Sequence, residues 1–221
     1  MQADIDQLFI LPPCDGAIEI LREEQDFLLI NKPTRLLSVP GRHPQNRDSV
    51  ISRLEANYPG CSIVHRLDFD TSGVMVIPRN KAALSNISKQ FQARTVSKHY
   101  TAVVAGLMAQ DEGVIDLPIA SNDGPRYKIC HETGKPSITE YKVIGRDQQA
   151  RTTRVFLHPI TGRSHQLRLH LQEIGHPILG CEFYGGEFAN AVARLLLHAT
   201  DLRFAHPISG EEVFVESRPD F

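Results

Sequence analysis

The stretch Ile18-Glu19-Ile20-Leu21-Arg22-Glu23-Glu24-Gln25-Asp26-Phe27-Leu28-Leu29-Ile30 decides the fold class. Two short apolar runs, 18–22 and 27–30, flank a polar connection at 23–26, which reads as two strands in a hairpin with Pro33 ending the second. A hairpin makes antiparallel neighbours, and nothing further along restores a regular alternation of strand and helix. Residues 32–47, rich in Pro, Gly and Arg, read as a loop. Asp48 is placed to cap a helix carrying Val50, Ile51 and Leu54 on one side and stopped at Pro59. A compact apolar strand is expected at 74–77, then a helix capped by Asn80 with Leu84, Ile87 and Phe91 at helical spacing, then a strand at 98–104. Strands recur at 140–144 and 153–157. Residues 162–174 place Leu167, Leu171 and Ile174 along one side of a helix whose other faces hold Arg163, His165, Arg168 and His170. A short helix at 188–194 and strands near 195–202 and 213–215 close the chain. Strands predominate and helices come singly, so the expected class is α+β: one mixed, largely antiparallel sheet with flanking helices. One domain over residues 18–221 is expected behind an N-terminal extension of residues 1–17.

With 221 residues, 41% of them hydrophobic, the chain can bury a core, which excludes a disordered tail protein. Lys and Arg number 24 against 26 Asp and Glu, a formal charge of -2, so a nucleic acid would have to be met by a local basic surface. Charge is segregated along the sequence: residues 1–26 hold seven carboxylates and one Arg, whereas 71–110 hold no Asp or Glu but contain Arg79, Lys81, Lys89, Arg94 and Lys98. Residues 142–172 hold Lys142, Arg146, Arg151, Arg154, Arg163 and Arg168 against the single Asp147. On one shared face these stretches would bind phosphates; on separate elements they are ordinary solvated faces. The acidic first residues carry no basic region followed by an apolar one, and the longest apolar runs fall far short of the roughly 20 residues of a membrane-spanning helix. A soluble cytoplasmic protein is expected. Cys14, Cys61, Cys130 and Cys181 lie dozens of residues apart without a CxxC pair, which suits reduced thiols better than a disulfide framework or a zinc ribbon.

Two motifs bear chemistry. Val64-His65-Arg66-Leu67-Asp68 runs into the polar turn Phe69-Asp70-Thr71-Ser72-Gly73. A carboxylate at an element end, flanked by a His and an Arg that keep it ionised, is a candidate acid, base or nucleophile. The same Asp alone also reads as a cap or a surface ion pair. In Pro159-Ile-Thr-Gly-Arg163-Ser-His165-Gln-Leu-Arg168-Leu-His170, a Gly-containing turn enters a helix whose first turn bears an Arg. That arrangement offers a guanidinium to an anion, either a phosphate or a catalytic carboxylate. His165 and His170 stand five apart with no Glu between them, unlike a zinc-binding HExxH pair, so core or RNA-contact histidines fit better and no metal is expected.

The run His65-Arg66-Leu67-Asp68-x-x-Thr71-Ser72-Gly73 resembles the signature of the RluA-type pseudouridine synthases, and further blocks of that family follow in order. They are Asn31-Lys32-Pro33 with Leu37-Ser38-Val39-Pro40-Gly41, Lys98-His99-Tyr100, Gly134-Lys135-Pro136 with Thr139-Glu140-Tyr141, and Gly162-Arg163-x-His165-Gln166-Leu167-Arg168-x-His170. Gly175-His176-Pro177-Ile178-Leu179-Gly180, Leu195-Leu196-Leu197-His198-Ala199 and His206-Pro207-x-x-Gly210 complete them. The resemblance departs at Arg35, where the family usually carries Gly, and at Cys181, where it usually carries Asp.

The resemblance implies the pseudouridine synthase fold and an isomerase that turns uridine into pseudouridine in structured RNA without a cofactor. Its short members act on a 23S rRNA loop and the tRNA anticodon loop, at position 32, so an rRNA or tRNA stem-loop is the expected partner of a monomeric enzyme. Asp68 is implied as the catalytic carboxylate, attacking sugar or uracil or removing a sugar proton. Arg163 would hold it ionised, and Tyr100 would stack on the uracil and assist removal of the C5 proton. Because the target base must leave the stack, Arg66 is suited to fill the vacated space, with His65, Lys32, Lys98, His165 and Arg168 as further RNA-binding residues. Only about 17 residues precede the first strand, so no S4 domain is expected. The alternatives are a non-catalytic RNA-binding or RNA-folding module on the same fold, a glycosidase using Asp68 and Asp70, which the absence of Trp disfavours, and a metallohydrolase.

Overall fold

In the computed structural model, which describes residues 9–122 and 124–221, the expected hairpin is present as β1 (Glu19–Glu23) and β2 (Phe27–Lys32). Residues 1–8, within the expected extension, lie outside the described residues. Along the chain follow α1 (Val50–Leu54), β3 (Ser72–Pro78), α2 (Lys81–Ala93), β4 (Ser97–Ala105), β5 (Glu112–Asp116), β6 (Ile119–Ser121) and β7 (Tyr127–Ile129). Then come β8 (Ile138–Asp147), β9 (Thr152–Pro159), α3 (Gln166–Glu173), β10 (Leu197–Ala205) and β11 (Glu212–Glu216). The fold is a mixed, mostly antiparallel β structure with few helices, as expected. The described residues form two compact units: the chain up to Val96 with Asp201–Ser217, and Ser97–Thr200 with Arg218–Phe221.

In the first unit β1, β2 and β3 are successive neighbours, with Phe27 opposite Pro78 and Lys32 opposite Gly73. β3 is buried along its whole length, which explains why Val74-Met75-Val76-Ile77 is uniformly apolar rather than alternating. Asn80 caps α2 as expected, its side chain accepting from the Ala83 N–H at 2.9 Å, and the helix lays Ile87 and Phe91 on a core of Phe27, Leu29, Val74, Val76, Leu202, Phe204, Val213 and Val215. Phe27 meets Phe204 edge to face at 5.4 Å between ring centres. The cap of α1 is Ser49, not Asp48: Ser49 and Ser52 exchange side-chain-to-backbone hydrogen bonds in a capping box. Asp48 is drawn instead to the Arg53 guanidinium at 2.6 Å.

In the second unit β4, β9, β8 and β5 are successive neighbours, with β6 and β7 pairing separately. Alternation along β9 sends Val155 and Leu157 into a core with Ala102, Val104, Leu167, Leu171 and Ile178, against which Tyr100 packs. Three strands had no sequence signal strong enough to place them: β6 and β7 have three residues each, and β5 mixes Glu and Gly with its apolar residues. The helix expected from 162 starts at Gln166, because His165 has φ 55 and breaks the helical path. The region expected to be helical at 188–194 is not: a single 3₁₀ turn, Gly186–Phe188, ends where that region begins, and residues 189–194 form turns and bends.

Candidate active site

Asp68 and its neighbours lie in the first unit, on the connection that enters β3. That connection is pinned from the block at 32–38. Lys32 is fully buried, and its ammonium donates to the carbonyls of Pro33 (3.0 Å), Leu36 (2.7 Å) and Phe69 (3.2 Å). The Ser38 hydroxyl donates to the Leu67 carbonyl (2.8 Å) and accepts from the Leu67 N–H (3.1 Å), while the Thr34 hydroxyl donates to the Asp70 carbonyl (2.7 Å). The Thr71 N–H closes the turn on the Asp68 carbonyl at 3.1 Å, and Gly73 follows with φ 119, a backbone conformation that side chains disfavour. His65 turns inward: its Nε2 accepts from the Val76 N–H (3.1 Å) and its ring stacks on Phe91 at 4.8 Å. Arg66 is exposed and Asp68 partly exposed. Within this unit the structure therefore brings Lys32, His65 and Asp68 into one fixed loop system, but Lys32 offers no surface to RNA. Arg35, which stands where the family usually has Gly, has φ 59, so this position does call for the left-handed backbone that glycine adopts most readily.

Tyr100, Lys98, Arg163, His165 and Arg168 lie in the second unit. Arg163 stands in the turn before α3 rather than in its first helical turn. The turn is held by buried Gln166, whose Oε1 accepts from the Arg163 N–H (3.0 Å) and the Thr161 hydroxyl (2.8 Å). The Gln166 amide donates onward to the Ile138 carbonyl (2.9 Å) and the Thr139 hydroxyl (3.0 Å). The Arg163 Nε–H reaches the Pro136 carbonyl at 3.4 Å. The sequence blocks at 134–141 and 162–170 thus close into one network. His170 completes it as a core histidine: Nε2 donates to the Leu117 carbonyl (3.0 Å), so Nδ1 accepts from Thr139 (2.9 Å). His165 shares a 2.7 Å hydrogen bond with the Tyr184 hydroxyl, which also accepts from the Tyr127 N–H at 2.9 Å. Arg168 is buried, with Nε donating to the Cys181 sulfur (3.3 Å) and its guanidinium over the rings of Phe183 and Tyr184. Its burial removes it from any exposed RNA-binding face.

Ser38, Thr34, Thr139, Gln166 and Tyr184 were not singled out from the sequence. Four of the five fall inside or beside the quoted family blocks, the one signal that points to them; Tyr184 has none. The basic stretches are partly neutralised locally: Arg79 bonds Glu23 (3.1 Å) and Arg146 bonds Asp111 (2.7 Å). Among the described residues no group of three His, Cys, Asp or Glu could hold a metal ion, no helix is long and apolar enough to cross a membrane, and the four cysteines are free.

Burial pushes the His170 imidazole below its ordinary value, and this has a measurable consequence. Below about pH 6.5 the unfolded chain takes up the proton before the folded one, so stability is complete above that pH and declines as pH falls towards the folded-state value. Thermal midpoints between about pH 7.5 and 5.5 should fall less steeply for His170→Gln than for the unchanged protein. Equal slopes would assign the acid sensitivity elsewhere.

The family described as RNA pseudouridylate synthase matches residues 26–173. The chain is 50% identical over 204 residues to the dual-specificity RNA pseudouridine synthase RluA of Vibrio parahaemolyticus, covering 90% of this chain and 82% of that protein. Its identity to the protein of the same description from Yersinia pestis is 48% over 205 residues, covering 91% of this chain and 99% of that one. Among solved structures, human RNA pseudouridylate synthase domain containing 1 superposes with a TM-score of 0.79 at 31% identity, covering 95% of this chain and 86% of that one.

Proposed function

Because the chain belongs to the RNA pseudouridylate synthase family and is therefore an RNA pseudouridine synthase, an isomerase, we propose that it modifies uridines in two RNAs, a 23S rRNA loop and the tRNA anticodon loop. The observation that carries this reading is the near-half identity over about nine-tenths of the chain to relatives described as dual-specificity enzymes. A single cytoplasmic copy of the enzyme suffices for one stem-loop.

In the reaction the N1–C1′ bond breaks, the uracil turns, C5 bonds C1′, and the C5 proton departs while N1 takes one up. Nothing is oxidised and no atom is lost, so the chemistry needs no external reactant. Asp68 acts on the sugar or the uracil, with Arg163 as the counter-charge that keeps a carboxylate ionised and Tyr100 as the platform for the base. Support for Asp68 comes from its motif and from the loop around it, whose hydrogen bonds are already made before any RNA arrives. Arg66, the exposed member of that loop, fills the space left by the extruded nucleotide.

Mapping pseudouridines in RNA from cells with and without this protein tests the proposal. One position in the large-subunit rRNA and one in the anticodon loop of a tRNA set should revert to uridine. Loss at only one kind of RNA overturns dual specificity, and an unchanged map overturns the assignment.

A further inference from the structure

Lys98 is a cation that the mechanism above does not use. It is partly buried at the start of β4, and among the described residues no hydrogen bond or ion pair engages its ammonium. Burial pushes this ammonium below the usual lysine range, and no carboxylate offsets the effect. A desolvated charge without a partner is unfavourable and calls for a reason in function. Two observations locate it. Lys98 and Tyr100 are two residues apart on one strand and so project from the same face. Its Nζ also lies against exposed Gly162, 3.3 Å from where a Cβ would be, in the turn that carries Arg163. Any side chain at Gly162 would crowd this ammonium.

We infer that Lys98 is a further catalytic residue, which stabilises the negative charge that develops on the uracil when its bond to the sugar breaks. This rests on the synthase reading and on Tyr100 as the platform for the base. The electron pair of the N1–C1′ bond leaves with the uracil and spreads over N1, O2 and O4 until C5 bonds C1′ and the C5 proton is lost. Lys98 keeps its proton throughout, so the balance of the isomerisation is unchanged. A phosphodiester is already charged in the ground state and stays outside with the backbone. The extruded base alone acquires charge during the reaction, and a poorly solvated ammonium acts most strongly on charge of that kind.

The test is the single-turnover rate, at saturating enzyme, at which the N1–C1′ bond gives way to the C5–C1′ bond in two RNAs that carry either uridine or 5-fluorouridine at the target position; the second, with fluorine in place of the C5 proton, is followed to that carbon–carbon bond and not to pseudouridine. Fluorine stabilises the uracil anion and so lessens the need for an external cation. Lys98→Gln should slow conversion of the uridine RNA about 100-fold while slowing the 5-fluorouridine RNA about 10-fold or less, and Lys98→Arg should recover most of the uridine rate. Lys98→Met should retain the thermal midpoint or raise it, because an unpartnered buried charge has been removed. Equal losses on both RNAs, a rise in KM with unchanged rate at saturation, or a fall in the Lys98→Met midpoint each overturns the inference. If the unchanged protein converts no cellular RNA, the synthase reading itself fails, a result distinct from a normal enzyme indifferent to Lys98→Gln.

Discussion

Asp68→Asn is expected to abolish tritium release from RNA labelled at uridine C5, a loss of at least about 10⁴-fold, the scale seen when one indispensable catalytic group is removed. The substitution nearly preserves shape and leaves the surrounding loop its own hydrogen bonds. Leu67 stays locked to Ser38, Asp70 to Thr34 and Phe69 to Lys32, none of them through the Asp68 carboxylate. What disappears is the charge and the nucleophilic or basic oxygen. The variant should therefore melt close to the unchanged protein and bind the same RNA without turning it over. Tritium release at a tenth of the normal rate would remove Asp68 from the chemistry and revive the non-catalytic RNA-binding alternative.

Lys32→Met should have the largest effect on stability of any single change outside the apolar core. The three N–H groups of the ammonium meet three backbone carbonyls, at Pro33, Leu36 and Phe69, and the side chain is wholly buried. Methionine matches the length and supplies no donor. Buried acceptors left without partners cost about 1–3 kcal/mol each, of which the gain from burying an apolar tip offsets a part. A net loss of about 3 kcal/mol is expected, read by denaturant unfolding, together with a thermal midpoint lower by about 10 °C for a chain of this size. Because Phe69 adjoins Asp68, tritium release should also fall in protein that remains folded. Lys32→Arg should restore little, since a planar guanidinium cannot direct its donors to the same three points. An unchanged unfolding midpoint in Lys32→Met would show that the carbonyls find other donors and that the clamp is incidental.

The hairpin at 19–32, the apolar strand at 72–78 and the Asn80 cap were legible because each rests on local rules: a polar break between apolar runs, an uninterrupted apolar stretch, a side-chain acceptor before a helix. Ser49 was harder to find, because Asp48 beside it is an equally good cap and only the tertiary pull of Arg53 separates the two. α3 begins later than expected for a related reason: Leu167, Leu171 and Ile174 define its apolar side without fixing its start, and a left-handed His165 excludes residues 162–165 from the helix. Among site residues, motif order pointed to Asp68, Tyr100 and Arg163, but it could not distinguish a lysine that meets solvent from one that is sealed inside. Lys32 and Arg168 look alike in sequence to any RNA-contacting cation. Their burial arises from contacts with Phe69, 37 positions away, and with Cys181, 13 positions away, distances that no periodicity reports.

Along His65, Arg66 and Leu67, the His65 ring is held by the Val76 N–H and Leu67 is buried, whereas Arg66 is exposed. Selection can therefore rewrite the outward position alone. On the role proposed for Arg66, another side chain there would suit a different RNA while the neighbours held in the interior keep their places.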